Sequence, residues 1–134
     1  MGLKTEVYFT SGGTESDNWA IKGIVLSDST PKDIITSQIE HHAVLHTCSA
    51  MERLGHRVIY LKPDNEGFIL PETLKQEIGK VNPSVVSVMM ANNEIGTIEP
   101  IKELAAIAHE MGSVFHTDAV QAVGHIPIDV KELD

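Results

Sequence analysis

A mostly parallel β-sheet with helices on both of its faces is what this 134-residue sequence predicts. Three features carry the prediction. Short apolar, β-rich pieces alternate with helical patterns along the whole chain, and repeated βα units of this kind place crossover helices over a parallel sheet. Residues 84–90, SVVSVMM, have the continuous apolar character of a strand buried on both faces. The polar clusters fall immediately after strands, at the sheet edge where such folds gather their ligands.

In chain order, Val7-Tyr8-Phe9 is a short strand signal. A helix is expected from Glu15 to Leu26, with Trp19, Ile21, Ile24, Val25 and Leu26 as a broad apolar side. Ile34-Ile35 opens the next strand. His42 to Leu54 reads as a helix on Val44, Leu45, Met51 and Leu54, stopped by Gly55. Val58 to Leu61 is a strand, KPDNEG is turn material, and Pro71 starts a helix running to Ile78. After the buried strand comes the polar loop ANNEIGTIEP. A helix follows through Ile101, Leu104, Ala105, Ile107, Ala108 and Met111, ended by Gly112, and Val114-Phe115-His116 is the last clear strand.

The 42% apolar content is enough for one domain to build a core. Ten basic against nineteen acidic residues give a formal charge of -9, so no nucleic-acid surface is expected. Cys48 is the single cysteine, which excludes a disulfide framework and a cysteine zinc cluster and suggests a reducing, cytoplasmic setting. No apolar run approaches the roughly 18 residues of a membrane span, and no signal-peptide core is present.

Four stretches carry candidate chemistry. In FTSGGTESDN, residues 9–18, two glycines and Thr14 open a helix whose unpaired N–H groups and dipole suit an anion. The same residues also read as a plain capped start, Thr14 with Asp17 resembling a capping box. Neither the Walker nor the dinucleotide glycine pattern is present. In IEHHAVLH, residues 39–46, a histidine is placed to stack on a flat ligand; His42 and His46 share a helix face, but no third metal ligand is evident. In ANNEIG, residues 91–96, the asparagines either satisfy turn backbone or present an amide to a ligand. In FHTDAVQ, residues 115–121, His116 and Asp118 lie two apart and share a side. A buried Asp118 needs a cationic partner, either His116 or a protonated ring nitrogen of a cofactor, unless it merely caps the next segment.

Taken in order, FTSGGTESDN, EHHAV, NNEIG and HTDAVQAVGHIPID resemble the cysteine desulfurase family, within the class V aminotransferase group of pyridoxal-phosphate enzymes. The resemblance covers nearly the whole chain and implies part of the large domain of such an enzyme. It assigns Gly13 and Thr14 to the cofactor's phosphate and His41 to stacking on the pyridine ring, with an acid–base role open to it. It assigns Asn93 to a cofactor contact, Asp118 to the pyridine nitrogen and Gln121 to the ring's phenolic oxygen. No metal is implied.

The family's activity takes sulfur from L-cysteine, leaving alanine and an enzyme persulfide that feeds iron–sulfur or thiocofactor assembly through acceptor or scaffold proteins. Family members are homodimers. The Schiff-base lysine is expected in a Ser-Gly-His-Lys stretch that these 134 residues lack, since Lys131 stands in DVKELD instead. Cys48 matches no catalytic cysteine and reads as a structural thiol. Residues 1–134 are accordingly expected to be one partial domain, inactive alone, with Met1-Gly2 an added start. Alternative readings are a selenocysteine lyase or other class V relative, a non-catalytic phosphate-binding module, or a sheet piece that self-associates through exposed edges.

Overall fold

The computed structural model describes residues 7–133. Its elements are α1 (Gly13–Val25), β1 (Asp33–Ser37), α2 (His42–Arg53), β2 (Arg57–Leu61), α3 (Pro71–Ile78), β3 (Pro83–Ser87), α4 (Ile101–Glu110), β4 (Val114–His116) and α5 (Val130–Leu133). The four strands form one sheet in the order β2-β1-β3-β4, and every neighbouring pair is parallel.

Side chains alternate across the sheet and so divide the core in two. On one face Ile34 and Val85 pack against Ile21 and Val25 of α1 and Val44, Cys48 and Met51 of α2. On the other, Ile35 and Val86 pack against Leu74 and Ile78 of α3 and Leu104 and Ala108 of α4. Each fully buried aliphatic contributes about 1.5–3 kcal/mol by leaving water. The helices present these residues at i, i+4 or i, i+4, i+7 spacing, which is why each lies flat on the strands. Gly55 and Gly112 end α2 and α4 at φ +94° and +76°, values that glycine adopts freely.

Several expected elements differ. Val7-Tyr8-Phe9 forms no strand, and its side chains are exposed, Phe9 at 95%. Tyr8 packs edge-on against Trp19 instead, ring centroids 5.4 Å apart. Trp19 and Leu26 do not join the core face of α1, which buries only Asp17, Ile21 and Val25. The helix also starts two residues earlier than Glu15, at Gly13, with Gly12 as its N-cap. Thr14 therefore lies inside the first turn and forms no capping box with Asp17.

The long buried strand leaves the regular ladder at Ser87, yet Val88, Met89 and Met90 remain buried. Val88 and Met90 donate their N–H groups to the carbonyls of His116 and Asp118 at 3.1 and 2.9 Å. The run thus keeps its apolar character while steering two loops together.

Candidate functional site

Three strands deliver their following loops to one edge of the sheet. Residues after β1 bring Glu40 and His41, residues after β3 bring Met89 and Asn93, and residues after β4 bring Asp118 and Gln121. The N-terminus of α1 arrives at the same edge. The result is a cavity of about 210 Å³ lined by Gly13, Thr14, His41, Asn93, Asp118 and Gln121. Asp17, Met89 and Val120 complete its wall.

The anion cradle is the start of α1. Its first internal bond runs from Ser16 N–H to the Gly12 carbonyl at 3.2 Å. The N–H groups of Gly13, Thr14 and Glu15 precede that bond and have no intrahelical acceptor. No side chain caps them. Glu15, the acid of this first turn, points back to Ser11, accepting its N–H at 2.7 Å and its O–H at 2.5 Å. Those bonds hold the Glu15 carboxyl below its usual range and occupy it away from the cradle. Gly13 sits close to the opposite loop, since a methyl group there would meet Cγ2 of Val120 at 3.0 Å.

His41 is the N-cap of α2, and its Nδ1 accepts the Ala43 N–H at 3.1 Å. That bond uses the Nδ1 lone pair, so a neutral ring carries its proton on Nε2. The residue is exposed and lines the cavity. His42 and His46 stand 5.4 Å apart by ring centroid, and no group of three or more His, Cys, Asp or Glu side chains suited to a metal occurs among the described residues.

The two asparagines divide the roles that the sequence left open. Asn92 is buried; its Nδ2 donates to the Ile39 carbonyl at 2.8 Å, and its Oδ1 accepts the N–H groups of Glu94 and Ile95 at 2.8 and 3.1 Å. Asn93 is exposed and lines the cavity.

Asp118 is 8% exposed, and its Oδ1 accepts the Val120 N–H at 2.9 Å. It does not pair with His116, one of the two partners the spacing suggested. β4 ends at His116, so the alternation that would align the two side chains ends there as well. His116 instead places Nε2 3.5 Å from Asp17 Oδ1 and shares a 2.8 Å hydrogen bond between Nδ1 and Ser87 Oγ. Sequence reasoning missed this Asp17–His116–Ser87 chain. The available signal was Asp17 itself, an acid that continues the Ile21–Val25 stripe of α1 at four-residue spacing. It also missed Glu40, 6% exposed, whose carboxyl is raised to about 8 by burial above all.

Cys48 is buried on the core face of α2, and burial above all pushes its thiol up to about 12.

A parallel sheet sandwiched by helices, with its polar groups gathered at the carboxyl edge, is part of the large domain of pyridoxal-phosphate-dependent transferases. Residues 2–134 match the family model described as aminotransferase class-V, and the chain belongs to that family. It is 58% identical over 132 residues to cysteine desulfurase IscS of Methanosarcina thermophila, covering 98% of this chain and 32% of that protein. It is 57% identical to cysteine desulfurase IscS of Dictyoglomus turgidum, covering 99% and 34%. The solved structure of SspA in complex with cysteine superposes with a TM-score of 0.88 at 38% identity, covering 92% of this chain and 36% of that one. The chain thus spans about a third of the length of the curated relatives it matches.

Proposed function

We propose that residues 1–134 form the cofactor-gripping part of the large domain of a pyridoxal-phosphate-dependent cysteine desulfurase. One observation carries the reading: a helix N-terminus free of side-chain caps, an exposed histidine and a buried carboxylate open onto one cavity. These residues fit the group. The cradle offers donors to a phosphate, His41 offers a flat face, and Asp118 is a carboxylate that no cation pairs with among the described residues.

When bound, pyridoxal phosphate supplies an electron sink that depends on its ring nitrogen staying protonated. Gly13 and Thr14 hold the phosphate through backbone N–H groups and the Thr14 hydroxyl. Asp118 would accept a hydrogen bond from the ring-nitrogen proton, and its burial away from water would strengthen that bond. His41 stacks on the ring with its cap to Ala43 fixing the ring's orientation. Gln121 would offer its amide to the ring's phenolic oxygen, and Asn93 would make a further contact to the cofactor. Val120 and Met89 supply apolar wall to the cavity.

The substrate we infer is L-cysteine, converted to L-alanine with the sulfur passed to an enzyme cysteine as a persulfide for iron–sulfur or thiocofactor assembly. Cys48 is not that cysteine, because it is buried and its thiol is pushed up to about 12. We infer a reducing, cytoplasmic setting from the single cysteine, and no described helix is long and apolar enough to cross a membrane.

The test is a titration of the chain with pyridoxal phosphate, followed by absorbance and by quenching of Trp19. Saturable binding that weakens in both Thr14→Ala and Asp118→Ala is expected. Unchanged affinity in Asp118→Ala beside a loss in Thr14→Ala would leave only a phosphate-binding module.

A further inference from the structure

The residue before His41 has no part in the grip described above, and its surroundings are unusual for a carboxylate. Glu40 Oε1 accepts the Ser37 O–H at 2.5 Å and the Met89 N–H at 2.9 Å. Its Oε2 is buried with no hydrogen-bond partner. No ion pair among the described residues includes Glu40. The titratable groups facing it are Asp17 from α1, Asp118 from the loop after β4 and Cys48 from α2. An ionised carboxylate in that position would be desolvated and repelled by both aspartates, with no cation to offset either cost. Burial first, then the two aspartates, raise the carboxyl from 4.5 to about 8, against the pull of Ser37 and Met89.

Two long-range bonds join the segments on either side of this acid. One is the Met89 bond to Glu40; the other runs from Asn92 Nδ2 to the Ile39 carbonyl at 2.8 Å. The segments they tie together carry His41, Met89 and Asn93, all in the cavity wall.

We propose that Glu40 is a positioning residue, a buried carboxylic acid that bolts the His41 segment to the Met89–Asn93 segment while leaving the negative charge of the site to its aspartates. Its consequence for cofactor affinity rests on the function proposed above; the bolt itself does not. Because the folded-state pKa lies above the unfolded value, the folded chain holds the extra proton between about pH 4.5 and 8. Stability is full below that window and declines as pH rises through it.

The experiment compares the cofactor-free chain with Glu40→Gln, which keeps both acceptor bonds through its amide oxygen and is uncharged at every pH. In the unsubstituted chain the Met89 amide resonance and the urea midpoint should both move between pH 6 and 9.5. In Glu40→Gln both should be flat over that range. Glu40→Ala should speed hydrogen exchange at Met89 at least tenfold, with Glu40→Gln restoring protection; if the alanine variant does not fold, the glutamine arm decides alone. A Met89 resonance that ignores pH in the unsubstituted chain would overturn the proposal, as would a Glu40→Gln urea midpoint that still falls. With pyridoxal phosphate, Glu40→Gln should bind within twofold of the unsubstituted chain, and a tenfold loss would mean that the charge is required. Failure of the unsubstituted chain to bind the cofactor would count against the proposed function alone, since the pH arms still judge Glu40.

Discussion

At the amino end of the sheet, Asp33 of β1 meets Arg57 of β2 through two bonds, Nε–H to Oδ1 at 3.0 Å and an Nη2–H to Oδ2 at 2.5 Å. The pair is open to solvent, with the arginine side chain 59% exposed. At the carboxyl end, Asp17, Glu40 and Asp118 are all buried, and among the described residues the one ion-pairing contact they make is Asp17 with His116. One end spends its acid on a paired, screened contact; the other collects acids with too little positive charge to balance them. A fold concerned only with stability has no use for the second arrangement, because buried carboxylates without cations cost free energy. It becomes sensible when a cationic ring is the missing partner, which is why the carboxyl end is where function is sought.

This contrast can be tested, and the largest effect is expected at Asp118. Asp118→Asn keeps an acceptor for Val120 N–H but removes the charge. A charge-assisted hydrogen bond is worth about 1.5–3 kcal/mol, so pyridoxal-phosphate affinity should fall about 10–150-fold. The urea midpoint of the free chain should hold or rise, because a buried carboxylate that no cation pairs with among the described residues is gone. A variant that loses stability and keeps affinity would reverse the roles assigned to the two ends.

Thr14→Ala should weaken pyridoxal phosphate by one hydroxyl bond to a charged phosphate, about 1.5 kcal/mol because Thr14 is exposed, and leave the free chain's melting temperature near its starting value. The pH profiles of the two ends should also run in opposite senses. The Asp33 carboxyl is held below its ordinary value, chiefly by Arg57, so its contribution is present above about pH 3.8 and is lost as pH falls. The Glu40 contribution is present below about pH 4.5 and is lost as pH rises towards 8. The cofactor-free chain should therefore melt at a higher temperature at pH 5 than at pH 8.5, measured by circular dichroism. The smallest effect is expected for Arg57→Ala, about 0.2–1 kcal/mol, shrinking further when the urea titration is repeated in high salt.

Much of this architecture is legible before any coordinates. The alternation of β-rich pieces and helical stripes placed β1 through β4 and α1 through α4 within a few residues, because apolar periodicity reports which face is buried. The short helix α5 was not foreseen; four residues carry too little periodicity to register. Val7-Tyr8-Phe9 was read as a strand because β-propensity reports side-chain fit and says nothing about whether a neighbouring strand exists. At the site, Gly13, Thr14, His41, Asn93, Asp118 and Gln121 were singled out from motifs in sequence, and the structure gathers all six around one cavity. Asp17, Glu40 and His116 gained no such role, since their significance depends on partners up to 99 residues away in the chain, as between Asp17 and His116.

Local order along the chain therefore accounts for the helices, the parallel sheet and the polar loops that follow its strands. Which loops face one another is a different matter, settled when β1, β3 and β4 stack side by side and bring residues 17, 40 and 118 to a common edge. Periodicity is a property of neighbours in sequence, whereas the state of a carboxylate depends on the water it has lost and the charges across from it. Those exist only once the sheet has closed around them.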